Sequence, residues 1–389
     1  VSESIEPDAH RLGHALRADV LEPLKQSFVG KDEIIDLLGL CLTARENLFL
    51  LGPPGTAKSA LVQALASRID GRVFDYLLTR FTEPNEIFGP FDIRKLRDGE
   101  LQTNTEGMLP EADFVFLDEL LNANSAILNS LLLVLNERVF RRGRETRPLP
   151  TLMVVGASNH LPEDEALGAL FDRFLIRVNC VNVPDESLRE VLNAGWRLDS
   201  QSSNQEAPTS GLRADDLRRL HRLTPQVSIE QVLPAYCDLV IKLRGAGIRV
   251  SDRRAVKLQR LVAASALLCG RLDANRTDLW VLRYIWDTED EQEVLAALVS
   301  QAVDAADDEE RALGHPRSQV GEAPDPEQLH ADLSVLAEMI ERAGGVERSV
   351  ARDRLTLLAA RCQWVPDAQQ RTFIENQVNE LWARLDSAP

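Results

Sequence analysis

Asn47-Leu48-Phe49-Leu50-Leu51-Gly52-Pro53-Pro54-Gly55-Thr56-Ala57-Lys58-Ser59 is the stretch that decides the fold. Its first five residues form a short apolar run, which reads as a buried parallel strand. Beyond it, Ala60 to Arg68 carries apolar residues at Leu61, Ala64 and Leu65, the spacing of a helix. A strand, a glycine-containing loop, Lys-Ser and a helix in that order make a phosphate-binding loop. Glycines let backbone N–H groups turn inward around an anion, and the new helix points its positive end at the same place. Lys58 offers a point charge to the β- and γ-phosphates, and Ser59 offers a hydroxyl to Mg²⁺. The usual pattern has a second glycine where this chain has Ala57. A left-handed alanine there would cost roughly 1 kcal/mol, so the loop is expected to enter the helix in an ordinary α conformation.

Three further strand ends fit around this anchor. Asp113-Phe114-Val115-Phe116-Leu117-Asp118-Glu119 is an apolar strand that ends in two carboxylates, and in open α/β sheets the carboxyl ends of strands carry the chemistry. Asp118 is placed to hold Mg²⁺ through water, and Glu119 to orient and deprotonate an attacking water. Thr151 to Asn159 is a third apolar strand, with Asn159 at its polar end. Leu170-Phe171-Asp172-Arg173-Phe174 closes a short helix before the strand Leu175 to Val178, and Arg173 reads either as a surface charge or as a finger for transition-state charge on a neighbouring subunit. Upstream, Val29-Gly30 is by position just a turn, at a distance from the first strand that could fold it over a bound base.

Composition bounds the alternatives. With Lys+Arg 44 against Asp+Glu 61, the net charge of −17 argues against nucleic acid as the main partner, because phosphate backbones need a basic face. Aromatics at 5% leave little for base-stacking platforms. The cysteines Cys41, Cys180, Cys237, Cys269 and Cys362 lie far apart without metal-ligand spacing, so reduced thiols are expected. No apolar run reaches membrane-spanning length and the first residues do not read as a signal peptide, so a cytoplasmic protein is the expectation.

Along the rest of the chain, His10–Phe28 and Asp32–Arg45 read as amphipathic helices. Arg72–Leu78 reads as a strand, and Ile93–Thr103 as a hairpin around Asp98-Gly99. Residues 137–147 read as a basic hairpin with Gly143 at its tip. Ser200–Ser210 is polar and reads as a linker. Residues 212–303 read as helix after helix, with Ser251-Asp252 capping one and Arg253-Arg254 in its first turn. Arginine is unfavourable there for the helix dipole, a small reason to suspect an anionic ligand. Asp304–Pro326 reads as a second linker, followed by three helical stretches with Trp364 and Trp382 as packing residues.

Gly52–Ser59, Phe116-Leu117-Asp118-Glu119, Ser158-Asn159 and Asp172-Arg173-Phe174 together resemble the MoxR family of AAA+ ATPases. Thr79-Arg80-Phe81-Thr82-Glu83-Pro84-Asn85-Glu86, Phe88-Gly89-Pro90, Leu128-Asn129, Asn136-Glu137-Arg138 and Ser251-Asp252-Arg253-Arg254 resemble its RavA branch most. The resemblance covers about residues 10–300 and implies an α/β fold. A three-layer P-loop core with a parallel sheet spans 1–195, a linker 196–211, an all-α lid 212–303, and a linker with a C-terminal three-helix bundle 304–389.

It also implies ATP and Mg²⁺ as cofactors, with Lys58 and Ser59 as Walker A, and Asp118 and Glu119 as Walker B. Asn159 would be sensor 1, Arg173 the arginine finger and Arg253 sensor 2, with Arg253 against Arg254 left open. Val29, Gly30 and Leu61 join the loop as nucleotide contacts. Residues 88–110 match a helix-2 insertion and 139–150 a pre-sensor hairpin. Family members form hexameric rings that remodel or mature protein clients, usually with a von Willebrand factor A-domain partner. A nucleotide-gated scaffold with little turnover and a nucleic-acid motor are the alternatives.

Overall fold

Leu48, Phe49, Leu50 and Leu51 are all buried, as a central parallel strand requires. In the computed structural model this strand, β1 (Leu48–Leu51), is followed by β2 (Val73–Leu77) and β3 (Phe114–Asp118), then β4 (Val139–Arg142), β5 (Glu145–Pro148), β6 (Met153–Ser158) and β7 (Ile176–Asn179). The structure describes residues 5–97, 102–142, 145–162, 165–202, 211–319, 326–342, 348, 351–352, 355, 358–359, 362, 365 and 368–387. One parallel five-stranded sheet runs in the order β2-β3-β6-β1-β7, with Leu51 opposite both Ser158 and Asn179. All its C-terminal ends therefore open on one edge. β1 sits between two strands reached in opposite directions, the switch point where such sheets bind ligands.

Helices cover both faces. α1 (Ile5–Ala15), a π-helical segment (Leu16–Leu21) and α2 (Glu22–Ser27) replace the single helix expected over 10–28. α3 (Asp32–Ala44) is buried at every position from Ile34 to Ala44. It is covered on more than one side, which is why its apolar residues form no single stripe. α4 (Lys58–Arg68) follows the loop, and then come α5 (Pro84–Phe88), α6 (Ile93–Arg97), α7 (Ser125–Glu137), α8 (Glu165–Phe171) and α9 (Leu188–Ser202). The lid is built from α10 (Ala214–Leu223), α11 (Leu233–Gly245), α12 (Asp252–Leu268), a 3₁₀ stretch over Arg276–Tyr284 and α13 (Glu291–Val303). Lid and core share one continuous apolar core, in which Leu261, Leu220 and Trp280 belong with Leu12, Leu38 and Phe49.

Several expectations are corrected here. Ile93–Arg97 is helical rather than one arm of a hairpin, and only the Phe91–Thr103 bridge keeps the antiparallel return. The proposed tip Asp98-Gly99 lies outside the described residues, as does Gly143 of the basic hairpin. α9 runs to Ser202, so the first half of the expected 196–211 linker is helix.

The expected linker after 303 is also folded as far as Gln319, and residues 320–325 lie outside the described residues. α14 (Asp308–Leu313) and a 3₁₀ turn at Pro316–Gln319 bring buried Arg317 onto Asp36 of α3 at 2.8 Å. Of the acidic residues that suggested a linker, Asp304, Asp307, Asp308 and Glu309 are exposed. Beyond it, α15 (Pro326–Arg342) and the helix Ala368–Ser387 enclose a separate apolar core with helical Ala351, Leu355, Leu358 and Cys362. Trp382 packs against that core, while Trp364 lies outside the described residues.

Candidate nucleotide site

The loop Gly52–Ser59 leaves β1 at the C-terminal edge of the sheet. Gly52 N–H donates to Ser158 O at 3.0 Å, which ties the loop to the end of β6. A side chain on Gly52 is impossible, because a Cβ there would stand 2.0 Å from the Cys180 carbonyl oxygen. Lys58 is buried and folds back along the loop, donating to Gly52 O at 2.9 Å and Pro53 O at 2.8 Å. Thr56 Oγ1 donates to Pro53 O at 3.0 Å. Gly55 has φ +82° with open space where a side chain would stand, while Pro53, Pro54 and Gly55 form the exposed rim. Leu61 is buried beneath the loop in the first turns of α4.

Ala57 does not behave as expected. It sits at φ 64°, ψ 24° as the residue that caps α4, in the left-handed region that favours glycine. The loop thus keeps the backbone that the missing glycine would supply and carries the steric cost of a Cβ, roughly 1 kcal/mol. Strain of this kind persists where surrounding structure over-determines the chain. Glu119 shows it too, at φ 50°, ψ 42°, immediately after β3.

Both carboxylates at the end of β3 accept hydrogen bonds. Asp118 Oδ1 accepts the Glu119 N–H at 3.0 Å, and Asn122 Nδ2 donates to Glu119 Oε2 at 3.2 Å. Asn122 was not singled out in the sequence, although its position three residues after Glu119, in a 3₁₀ turn, was a usable signal. Asn159 follows β6 directly and is exposed. The sheet order puts the ends of β1, β6 and β3 side by side, so Lys58, Ser59, Asn159, Asp118 and Glu119 share one edge. Val29-Gly30 reaches that edge as well, with Gly30 at φ +69° packed on Val183. Val183 belongs to the segment after β7 whose Cys180 N–H donates to Leu51 O. Cys180, another residue without a sequence signal, also lies against Thr56, 3.4 Å from Sγ to Oγ1.

These groups suit a magnesium-bound polyphosphate. The loop's side-chain cation is bonded to neutral carbonyls, and the carboxylates stand at the end of β3, separated from β1 by β6. Among the described residues no group of three or more His, Cys, Asp or Glu could hold a metal by itself. Ser59 and Asp118 fit Mg²⁺, which keeps several waters and takes further oxygens from a bound phosphate.

Arg173 is not part of this cluster. Its carbonyl accepts from Asn47, the residue before β1, and Leu48 pairs with Ile176 at the start of β7. Arg173 therefore stands at the N-terminal edge, paired with Asp172 at 2.7 Å. A strand of this length separates it from the loop by roughly 15 Å.

The first turns of α12 lie at the same far edge. Lys257 reaches Glu46 at 3.9 Å, and Arg254 shares Asp287 with Arg177 of β7. Arg254 is 4% exposed and bonds Asp287 and Arg249 O within the lid, while Arg177 of β7 reaches the same Asp287 from the core. Burial, and then Arg254, push the Arg177 guanidinium below its ordinary range, with Asp287 opposing. Arg253 beside them is exposed.

The basic hairpin is largely committed to internal contacts. Arg138 donates to Asn47 Oδ1 at 2.6 Å, Arg142 to Gly89 O at 2.6 Å and to Asn85 Oδ1, and Arg147 lies over the Phe140 ring.

Comparison with known proteins agrees with this geometry. The family model described as the MoxR domain in MoxR-vWA-beta-propeller ternary systems matches residues 14–222, and an AAA lid domain model matches residues 233–299. An uncharacterised protein of Methanocaldococcus jannaschii is 36% identical over 283 residues, covering 72% of this chain and 72% of its own. The chaperone MoxR1 of Mycobacterium tuberculosis is 29% identical over 183 residues, covering 46% of this chain and 48% of its own. A crystal structure from Cytophaga hutchinsonii superposes with a TM-score of 0.63 at 19% identity, covering 78% of this chain and 98% of that one, a likeness of fold alone. A P-loop on the central strand of a parallel sheet, a family match across more than half the chain and a matching lid give one conclusion: this chain belongs to the MoxR family of AAA+ ATPases.

Proposed function

We propose that the chain is an Mg²⁺-dependent ATPase that works as one copy in a hexameric ring and remodels or matures protein complexes. The observation that carries this reading is the division of the site between two edges of one sheet. Lys58, Ser59, Asp118, Glu119 and Asn159 stand at one edge, and Arg173 and Arg253 at the other. A single copy cannot bring both sets to one nucleotide, whereas a neighbour stacked edge to edge can.

Within the site, Lys58 would leave its loop carbonyls for the phosphates, and the loop's N–H groups would surround them. Ser59 and Asp118 would hold Mg²⁺, which when bound neutralises phosphate charge. Glu119, its carboxylate steered by Asn122, would take the proton of the attacking water, and Asn159 would help to place that water. Val29-Gly30 would cover the base. Arg173 from the neighbour would meet the charge that develops on the transferred phosphoryl group. Arg253 is the better candidate for the second sensor, because Arg254 is buried and engaged with Asp287 and Arg249 O. It too would act on the neighbour's nucleotide.

The proposed partner is a von Willebrand factor A-domain protein, the component named in the description of the matched family model. The RavA-like character rests on the motifs at 79–90, 128–129, 136–138 and 251–254 alone. A nucleic-acid motor is disfavoured by the internal contacts of Arg138, Arg142 and Arg147 together with the net charge of −17. No helix among the described residues is long and apolar enough to cross a membrane.

Glu119→Gln tests the reading. ATP binding is expected to persist while phosphate release with Mg-ATP is lost. Unchanged turnover would remove Glu119 from its role.

A further inference from the structure

Lys31 caps the start of α3, and Ile35 N–H donates to its carbonyl at 3.0 Å, so its backbone is fixed to the core. Its side chain leaves α3 and crosses to a segment 150 residues away, where Nζ donates to Val181 O at 2.5 Å. Lys31 is only 8% exposed, and among the described residues that carbonyl is the one partner of its ammonium. Its acidic neighbour Glu33 accepts from the Tyr284 hydroxyl at 2.8 Å instead. Burying an ammonium against a single neutral carbonyl costs free energy that a methionine in the same place would not. Packing alone therefore does not explain a lysine here.

The stretch that Lys31 holds has little else to hold it. Val181, Asn182 and Val183 follow β7, with Val181 and Asn182 exposed. Among the described residues these three make one hydrogen bond, the one from Lys31. At its start the stretch is tied to the phosphate-binding loop. Cys180 N–H donates to Leu51 O at 2.7 Å, and the Cys180 carbonyl fills the space a side chain on Gly52 would need. At its end Val183 packs so closely on Gly30 that a Cβ there would stand 2.7 Å from Val183 Cγ1. The stretch thus runs from the phosphate-binding loop to the Val29-Gly30 turn, and its path sets the gap between them.

Resting on the reading that this edge binds a nucleoside triphosphate with Val29-Gly30 over the base, we propose that Lys31 is a positioning residue for the base end of the nucleotide. It acts through Val181–Val183, latching the base cover to the phosphate-binding loop so that the two ends of the site stand at a fixed spacing before a ligand arrives. A preformed site loses less freedom on binding and gains affinity without any new contact. The phosphate end is built from the loop's own N–H groups and Lys58, and the latch takes no part in it. Lys31 therefore matters for a ligand that reaches both ends, a nucleoside triphosphate, and not for a bare polyphosphate.

The test is titration calorimetry on the whole 389-residue chain with two ligands, Mg-ATP and Mg-tripolyphosphate. The second has phosphates but neither base nor ribose. Lys31→Met keeps the length and apolar stem of the side chain and removes the donor. It is expected to weaken Mg-ATP about tenfold, the scale of one charge-assisted hydrogen bond. Mg-tripolyphosphate should bind as it does to the wild type, which also shows that the variant is folded. Lys31→Arg keeps a charged donor and should recover most of the loss. Gly30→Ala attacks the same join from the other side, because its Cβ would press on Val183, and the same difference between the two ligands is expected.

An equal loss for both ligands in Lys31→Met would overturn the proposal and make Lys31 a general support of the loop. So would Mg-ATP binding that is unchanged in Lys31→Met, or an arginine no better than the methionine. A wild type that binds neither ligand would instead contradict the nucleotide reading itself, and the positioning role would fall with it.

Discussion

Ala57 shows how a single residue records a constraint on the site. Its left-handed backbone is the conformation a glycine would adopt freely, and the loop keeps it in spite of the Cβ. Ala57→Gly is therefore expected to stabilise the fold by about 0.5–1 kcal/mol in urea unfolding. A loss of stability would show that the loop relaxes around alanine.

Asp36 gives a second expectation at this scale. Burial alone would raise its carboxyl, but Lys25 at 2.7 Å and Arg317 at 2.8 Å overcome that and bring it to about 2. Its folded value lies below the unfolded one. The stabilisation is thus complete above about pH 4 and is lost as pH falls toward 2, about 2 kcal/mol in all. Asp36→Asn removes the carboxylate shared by buried Arg317 and by Lys25, which keeps Glu22 at 2.9 Å, and should cost about 3 kcal/mol at pH 7. That cost should shrink toward pH 2 when chemical denaturation is followed across the range. A difference that stays constant with pH would refute the assignment.

Among elements, the join between core and lid is the feature the sequence concealed most. Arg177 and Arg254 both converge on Asp287, and Arg177 also caps Phe171 O and the carbonyls of Ile285 and Trp286. Asp287→Ala would bury two guanidinium groups without their carboxylate, so a loss of about 3–5 kcal/mol is expected in urea unfolding. A loss under 1 kcal/mol would mean that the carbonyls suffice.

The strands and the phosphate-binding loop were legible because their signals are local, an apolar run followed by fixed loop residues. So were the run of helices over 212–303 and the cap at Ser251, whose side chain accepts from Arg254 N–H. The folded stretch from Asp308 to Gln319 was not legible, since its packing depends on Asp36, nearly the whole core away in sequence. The helix at Ile93–Arg97 was missed for a related reason. Asp98-Gly99 carries a strong turn signature, but Asp92 Oδ1 accepts from Arg94 N–H at 2.8 Å and starts a helical turn instead. Arg253 and Arg254 are adjacent and chemically identical, and only burial tells them apart.

For the whole molecule, the decisive fact is that the arginines and the phosphate-binding loop stand on opposite edges of one sheet. No sequence pattern states this, because it depends on strand order and direction. It fits the expectation that Arg173, if it is a finger, serves a neighbouring subunit rather than its own copy. Arg173→Ala should leave assembly and nucleotide binding intact while lowering turnover by about a thousandfold or more. A variant that retains turnover would return Arg173 to a surface ion pair with Asp172.

The central claim, that a second copy completes each site, is tested most directly by measuring phosphate release with Mg-ATP against protein concentration, with Glu119→Gln as the control for contaminating activity. Specific activity is predicted to rise with concentration and level off as copies associate. Real activity that stays flat down to concentrations at which the chain sediments as a monomer would contradict the account.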